Sequence, residues 1–184
     1  RARSVKQLYT LLFYVFLPGV LLRLLGKSRG QPRYRQRIGE RLGYYRDIPP
    51  APATLWIHAV SVGECEAAFP LIRSLLDRQP GLTLLVTCAT PTGSARIAEV
   101  LGDRVRHVYL PYDLPGAVDR FFTHFQPRFG LIMETEIWPN LFLAARARQV
   151  PLAILNGRLS ARSARGYRRL GKLTAQSLSA VSLI

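Results

Sequence analysis

Acids, cysteines and metal ligands are all scarce in this chain. Eleven Asp and Glu stand against 26 Lys and Arg among 184 residues, a formal charge of +15. The two cysteines, Cys65 and Cys88, lie 23 positions apart with no CxxC spacing. That excludes a disulfide framework and a zinc ribbon, and both read as small buried residues in a reducing compartment. His58, His107 and His124 are scattered and read as structural histidines, so no metal is expected. A P-loop lysine, a GxGxxG fingerprint, an internal repeat and a low-complexity linker are all missing.

What charge there is has been sorted along the chain. Residues 1–50 hold eleven basic side chains against two acids, and 158–184 hold six against none. Residues 51–157 carry nine of each and are neutral. A nucleic-acid binder spreads basic residues over its working surface, which this neutral middle does not do. Two basic flanks on a neutral body suit an anionic membrane surface.

The longest apolar run supports the same reading. Leu8–Leu25, "LYTLLFYVFLPGVLLRLL", is broken only by Arg23. It approaches the ~20 residues that cross a bilayer as a helix, with Arg23 able to snorkel and Pro18-Gly19 expected to kink it. No small-residue cleavage site follows, and the denser positive charge after the run places the body on the cytoplasmic side. Behind it, "YRQRIGERLGYYR" reads as a solvated amphipathic helix or a collar facing lipid headgroups.

From Ala53 onward, short β-rich runs at 54–60, 82–88, 104–110, 128–133 and 151–156 alternate with helical patterns, and "LSAVSLI" offers a sixth strand. Near-continuous apolar strands separated by helices predict a parallel sheet covered on both faces. With right-handed crossovers this is a doubly wound, Rossmann-like α/β domain. Residues 1–50 form the anchor and basic juxtamembrane segment, and 51–184 form the domain.

In such a sheet, functional groups collect beyond the carboxyl ends of the strands. Four polar loops belong there: "SVGECEA", "ATPTGSA", "ETEIWPN" and "NGRLSARS". Glu64 fits two roles, a first-turn glutamate on the helix dipole or a general base that substrate reaches past Gly63. Glu134 is either a neighbouring carboxylate that raises that basicity or a buried loop-holder, and Glu136, close to the next helix start, reads as structural. Thr90 or Thr92 caps a helix, and Ser160 caps another. "PTGSA" serves as a tight turn or a weak anion cradle. Ser61, Gly63, Thr90, Thr92, Gly93, Arg158 and Arg162 are the candidate substrate-binding positions. Arg158, Arg162, Arg165, Arg169 and Lys172, spaced 4, 3, 4 and 3, predict one basic helical face for an anionic ligand or headgroup.

Together, "HAVSVGE", "TPTGSARI", "HVYLPYDLP", "METEIWPN" and "NGRLSARSARGYRRLGKL", in this order behind an apolar segment, closely resemble bacterial 3-deoxy-D-manno-octulosonic acid (Kdo) transferases. The likeness runs from about Leu8 to the last residue. It implies a GT-B glycosyltransferase fold at the cytoplasmic face of the inner membrane. It also implies transfer of Kdo from CMP-Kdo to the lipid A precursor (lipid IVA) in lipopolysaccharide assembly. The family's proton acceptor falls on Glu64 and its transition-state-stabilising glutamate on Glu134. The resemblance implies an inverting reaction with no metal or cofactor. The family's donor-binding domain and a further stabilising basic residue would lie beyond residue 184. The chain therefore reads as the acceptor-side half, not expected to catalyse alone. The alternative is a non-catalytic membrane-bound module that binds acidic lipid.

Overall fold

The computed structural model describes residues 2–158, 161–169 and 171–184, with the side chains of 2–4, 161–163 and 169 outside that description. The expected beat of strand and helix is there. Helix α1 (Ala2–Ser28) and the short α2 (Ile38–Arg41) precede β1 (Leu55–His58), α3 (Val62–Arg78) and β2 (Leu84–Cys88). Then come α4 (Pro91–Leu101), β3 (Arg106–Tyr109), α5 (Pro115–Phe125), β4 (Gly130–Met133), α6 (Pro139–Ala147) and β5 (Leu152–Leu155). The chain continues through α7 (Ala161–Arg169), α8 (Gly171–Leu178) and β6 (Val181–Leu183).

All six strands pair in parallel, in the order β3-β2-β1-β4-β5-β6. Side chains alternate across the pleat, so the sheet separates two cores. Trp56, Leu85, Val108, Ile132 and Leu152 face Val118, Phe121, Phe122 and Phe125 of α5 and Leu141 and Phe142 of α6. Leu55, Ile57, Leu84, Val86 and Met133 face Cys65, Phe69 and Ile72 of α3 and Ile97 of α4. Gly130 makes room for the Trp56 indole: a Cβ there would stand 2.9 Å from that ring and 2.6 Å from Leu152.

The β1–α3–β2 connection steps to one side and β3–α5–β4 returns to the other. The topological switch point thus lies between β1 and β4.

Helix α1 continues through Pro18 as a single element. Its stretch Val5–Ser28 is long and apolar enough to cross a membrane. It also leans on the body. Tyr9, Phe13, Leu17 and Leu21 are half-buried and Leu24 and Ser28 buried, a three-and-four spacing that faces α6 and α8. The remaining face leaves Leu8, Leu11, Val15, Phe16 and Leu22 exposed.

The segment after α1 is only partly solvated: Arg33, Arg35 and Arg46 are exposed. Glu40, Arg41 and Tyr45 are buried. Arg37, in the left-handed region (φ 56°), pairs with Glu40 at 2.6 Å, and Glu40 accepts the Tyr109 N–H at 2.8 Å. Arg41 stacks on the Tyr109 ring and donates to the Ala89 carbonyl at 2.9 Å. A Cβ at Gly43 (φ 79°) would sit 2.5 Å from the Ala117 carbonyl. These arginines are used inside the fold, because edge strand β3 offers backbone groups and an aromatic face for them to cover.

Candidate active site

Beyond β1 the chain enters α3 through a reciprocal cap. Ser61 Oγ accepts the Glu64 N–H (3.3 Å) and donates to Glu64 Oε1 (3.0 Å). Glu64 Oε2 accepts the Val60 N–H at 2.8 Å. This is a capping box displaced by one residue, which satisfies donors that a helix start leaves open. Glu64 is 8% exposed, and among the described residues each of its carboxylate oxygens accepts one hydrogen bond. The helix-start reading of Glu64 thus holds in these contacts. Gly63 is exposed, and a Cβ there would meet only Ser61 Oγ at 3.9 Å, so the protein leaves this approach open.

Beyond β2, Thr90 is the cap, accepting the Gly93 N–H at 3.1 Å; Thr92 is exposed and donates to the Thr90 hydroxyl. Gly93 is buried for packing, since a Cβ there would lie 3.0 Å from Thr90 Oγ1 and 3.4 Å from Cys65 Sγ. Ser94 bonds His107 Nε2 at 2.8 Å and accepts from Arg37 at 3.1 Å. "PTGSA" is thus the opening turn of α4 itself, not a turn before it.

Beyond β4 the backbone turns sharply. Glu134 sits in the left-handed region (φ 58°), as does Asn156 (φ 52°) after the adjacent β5. Bulky side chains rarely adopt this conformation, and it concentrates at functional sites. The Glu134 N–H donates to the Leu155 carbonyl at 2.7 Å, fixing the turn to β5. Thr135 Oγ1 donates to the Arg158 carbonyl at 2.6 Å, and Tyr167 of α7 donates to the Thr135 carbonyl at 3.0 Å.

Glu64 follows β1 and Glu134 follows β4, neighbouring strands at the switch point, and Glu136 lies near enough to feel both charges. Burial, then the charges of Glu64 and Glu134, push the Glu136 carboxyl up to about 7. Its local position beside a helix start gave no sign of this, because two of the three causes come from other parts of the chain. On the α7 side, a cavity of about 890 Å³ opens beside Thr135 between Ile137, Ile154, Leu178, Arg165 and Arg168.

The expected five-residue basic stripe does not form on one helix. Arg158 is exposed and precedes α7, and Lys172 belongs to α8. Gly157 and Gly171 bracket the region, and two short helices replace one long one. Arg162 lies in α7 with its side chain outside the described residues, as does that of Arg169, and Ser160 lies outside them altogether.

The histidines and thiols are interior groups. Burial pushes His58 and His107 down to about 4, so both are neutral at pH 7. His58 Nδ1 lies 2.9 Å from Thr87 Oγ1, and its Nε2 has no partner among the described residues. Cys65 and Cys88 are free and buried, and burial pushes both thiols up to about 12. Among the described residues no cluster of His, Cys, Asp and Glu could hold a metal ion.

The class so defined is a Rossmann-like α/β domain with acidic residues on the loops beyond β1 and β4, at its topological switch point. Its lineage is equally definite: the family model for 3-deoxy-D-manno-octulosonic-acid transferase (kdotransferase) matches residues 36–184. The chain belongs to that family of glycosyltransferases. It is 44% identical over 177 residues to the 3-deoxy-D-manno-octulosonic acid transferase of Haemophilus influenzae, covering 96% of this chain and 42% of that protein. The enzyme of the same name from Bordetella pertussis is 44% identical over 142 residues, 73% of this chain and 33% of that protein. The Rickettsia felis enzyme is 34% identical over 117 residues, 64% and 25% respectively. The chain thus spans less than half the length of these curated relatives.

Proposed function

We propose that this domain forms the acceptor side of a Kdo transferase that moves Kdo from CMP-Kdo to the lipid A precursor. The observation that carries the reading is the placement of Glu64 and of the Glu134–Glu136 loop beyond the adjacent strands β1 and β4, in a chain of this family. In the reaction, an acceptor hydroxyl attacks the anomeric carbon of Kdo. The bond from that carbon to the CMP phosphate oxygen breaks, CMP leaves, and the configuration inverts. Glu64 accepts the hydroxyl proton. Its Ser61 hydroxyl and Val60 N–H bonds aim the carboxylate without occupying all its lone pairs. Glu134 stabilises the positive charge that develops on the sugar as the leaving bond stretches. Glu136 holds a proton near neutral pH, which limits charge repulsion among the three acids. No metal or cofactor enters the step.

A lipid-linked acceptor suits the surroundings. The cavity beside Thr135 has apolar walls with Arg165 and Arg168 among its lining, matching a phosphorylated amphiphile. Helix α1 offers its apolar outer face to the bilayer while its inner seam stays on the body from Tyr9 to Ser28. That supports a helix lying in one leaflet at the cytoplasmic face of the inner membrane. The donor is held by chain beyond the part these relatives share with this one.

The test is an assay of the full-length protein with CMP-Kdo and lipid A precursor, counting sugars on the product. Glu64→Ala is expected to lower transfer about 10²- to 10⁴-fold while glycolipid binding persists. Near-normal turnover in that variant refutes the base assignment. Liposome binding without any sugar transfer by the unmodified protein favours a non-catalytic lipid-binding module instead.

A further inference from the structure

The N-terminal helix is joined to the start of α6, which follows the acidic loop, by a partly buried relay. Asp113, in the loop between β3 and α5, is 2% exposed. Its carboxylate accepts the N–H groups of Asn140 (2.9 Å) and Leu141 (2.8 Å) in the first turn of α6. Helix α6 has no cap of its own, because Trp138 stands at its N-cap position. A carboxylate from another loop therefore does the capping. Asn140 Nδ2 returns a bond to the Asp113 carbonyl at 2.7 Å.

Both members of that pair are bonded by α1. Tyr9 Oη donates to Asp113 Oδ2 at 3.0 Å. Thr10 Oγ1 lies 3.3 Å from Asn140 Oδ1 and 3.2 Å from Asn140 Nδ2. Lys6, one turn earlier, adds a favourable charge to Asp113. The sequence distance is 104 residues for the first contact and 130 for the second. Only four positions separate Asn140 from Glu136, and the Glu134 end of that loop is already pinned to β5.

The geometry points to Tyr9 and Thr10 as positioning residues: through Asp113 and Asn140, the lipid-facing helix sets the acidic loop that carries Glu134 and Glu136. A contact on the inner seam of α1 thus reaches the site, while the outer face meets the bilayer. The inference rests on the proposed role of that loop in transfer.

The experiment compares full-length wild type with Tyr9→Phe/Thr10→Val, whose shapes are nearly conserved. Amide hydrogen exchange at Asn140 and Leu141 is expected to quicken about tenfold, the scale of losing a hydrogen bond to a buried carboxylate. The kcat for transfer is expected to fall about tenfold with KM for CMP-Kdo unchanged, since the loop and not the donor contacts is loosened. Binding to phosphatidylethanolamine–phosphatidylglycerol vesicles is expected to stay at the wild-type level, because the outer face is untouched. Unchanged exchange, or faster exchange with unchanged kcat, overturns the inference. If the double variant does not fold, Thr10→Val alone carries the same readouts. A Phe16→Ser control on the outer face is expected to weaken vesicle binding without quickening exchange at Asn140. Should wild type itself transfer no Kdo, the functional proposal fails, and the exchange measurement still decides whether the relay holds the loop.

Discussion

The turns that carry Glu64 and Glu134 lie on neighbouring strands and are built in opposite ways. The Glu64 turn is local: Val60, Ser61 and Glu64 satisfy one another within five residues. The loop bearing Glu134 and Glu136 is held from outside, by Leu155, Arg158, Tyr167 and, at its far end, Asp113. One turn would keep its shape in many contexts; the other exists only when β5, α7 and the β3–α5 loop are in place. A site that joins them sets a rigid carboxylate against a pair whose placement depends on the whole domain.

Three substitutions test that contrast, from the largest effect to the smallest. Asp113→Ala strands two N–H groups at the buried start of α6 and should cost about 3 kcal/mol in urea unfolding. A loss below that of Ser61→Ala would mean that α6 is held by packing alone. Ser61→Ala removes only the local cap and should cost about 1 kcal/mol, with the exchange of Asn140 unchanged. If that exchange does move, the two turns are mechanically coupled after all.

Glu136→Gln sharpens the electrostatic side. Burial, with the charges of Glu64 and Glu134, raises the folded carboxyl from its ordinary 4.5 to about 7. A raised acid pKa means that the folded state favours the protonated form. The group's contribution is most favourable below about pH 4.5 and is lost as pH rises through 7. Glutamine removes that loss. The variant should gain roughly 1 kcal/mol over wild type at pH 8, after discounting for partial solvent screening, and nothing at pH 4. A gain that does not depend on pH would show that folding does not raise the Glu136 carboxyl.

Much of this was legible in residue order. The five strong strand runs, the sixth weaker one, and the helix at Pro91–Leu101 fall where their periodicity puts them. Of the two candidate caps, Thr90 and Thr92, it is Thr90 that caps α4. The misread segments share a cause. "YRQRIGERLGYYR" looks solvated because its charges are dense, yet Arg37, Glu40 and Arg41 find partners on β3, α4 and the turn after β2 that no local window contains. Likewise, the basic residues from Arg158 to Lys172 keep helical spacing on paper, but the chain divides them between a loop and two helices.

Alternation of apolar runs, caps and prolines was enough to specify a doubly wound sheet, because strand and helix periods and turn chemistry act over a few residues. It also placed Glu64 at a helix start and Glu134 at a strand end. Tertiary structure alone decided that Glu136 joins them, that Asp113 caps a helix 26 residues beyond it, and that α1 is fastened to that same point. Desolvation and charge coupling depend on distance in space, and residues more than 100 positions apart become neighbours only once the sheet has closed.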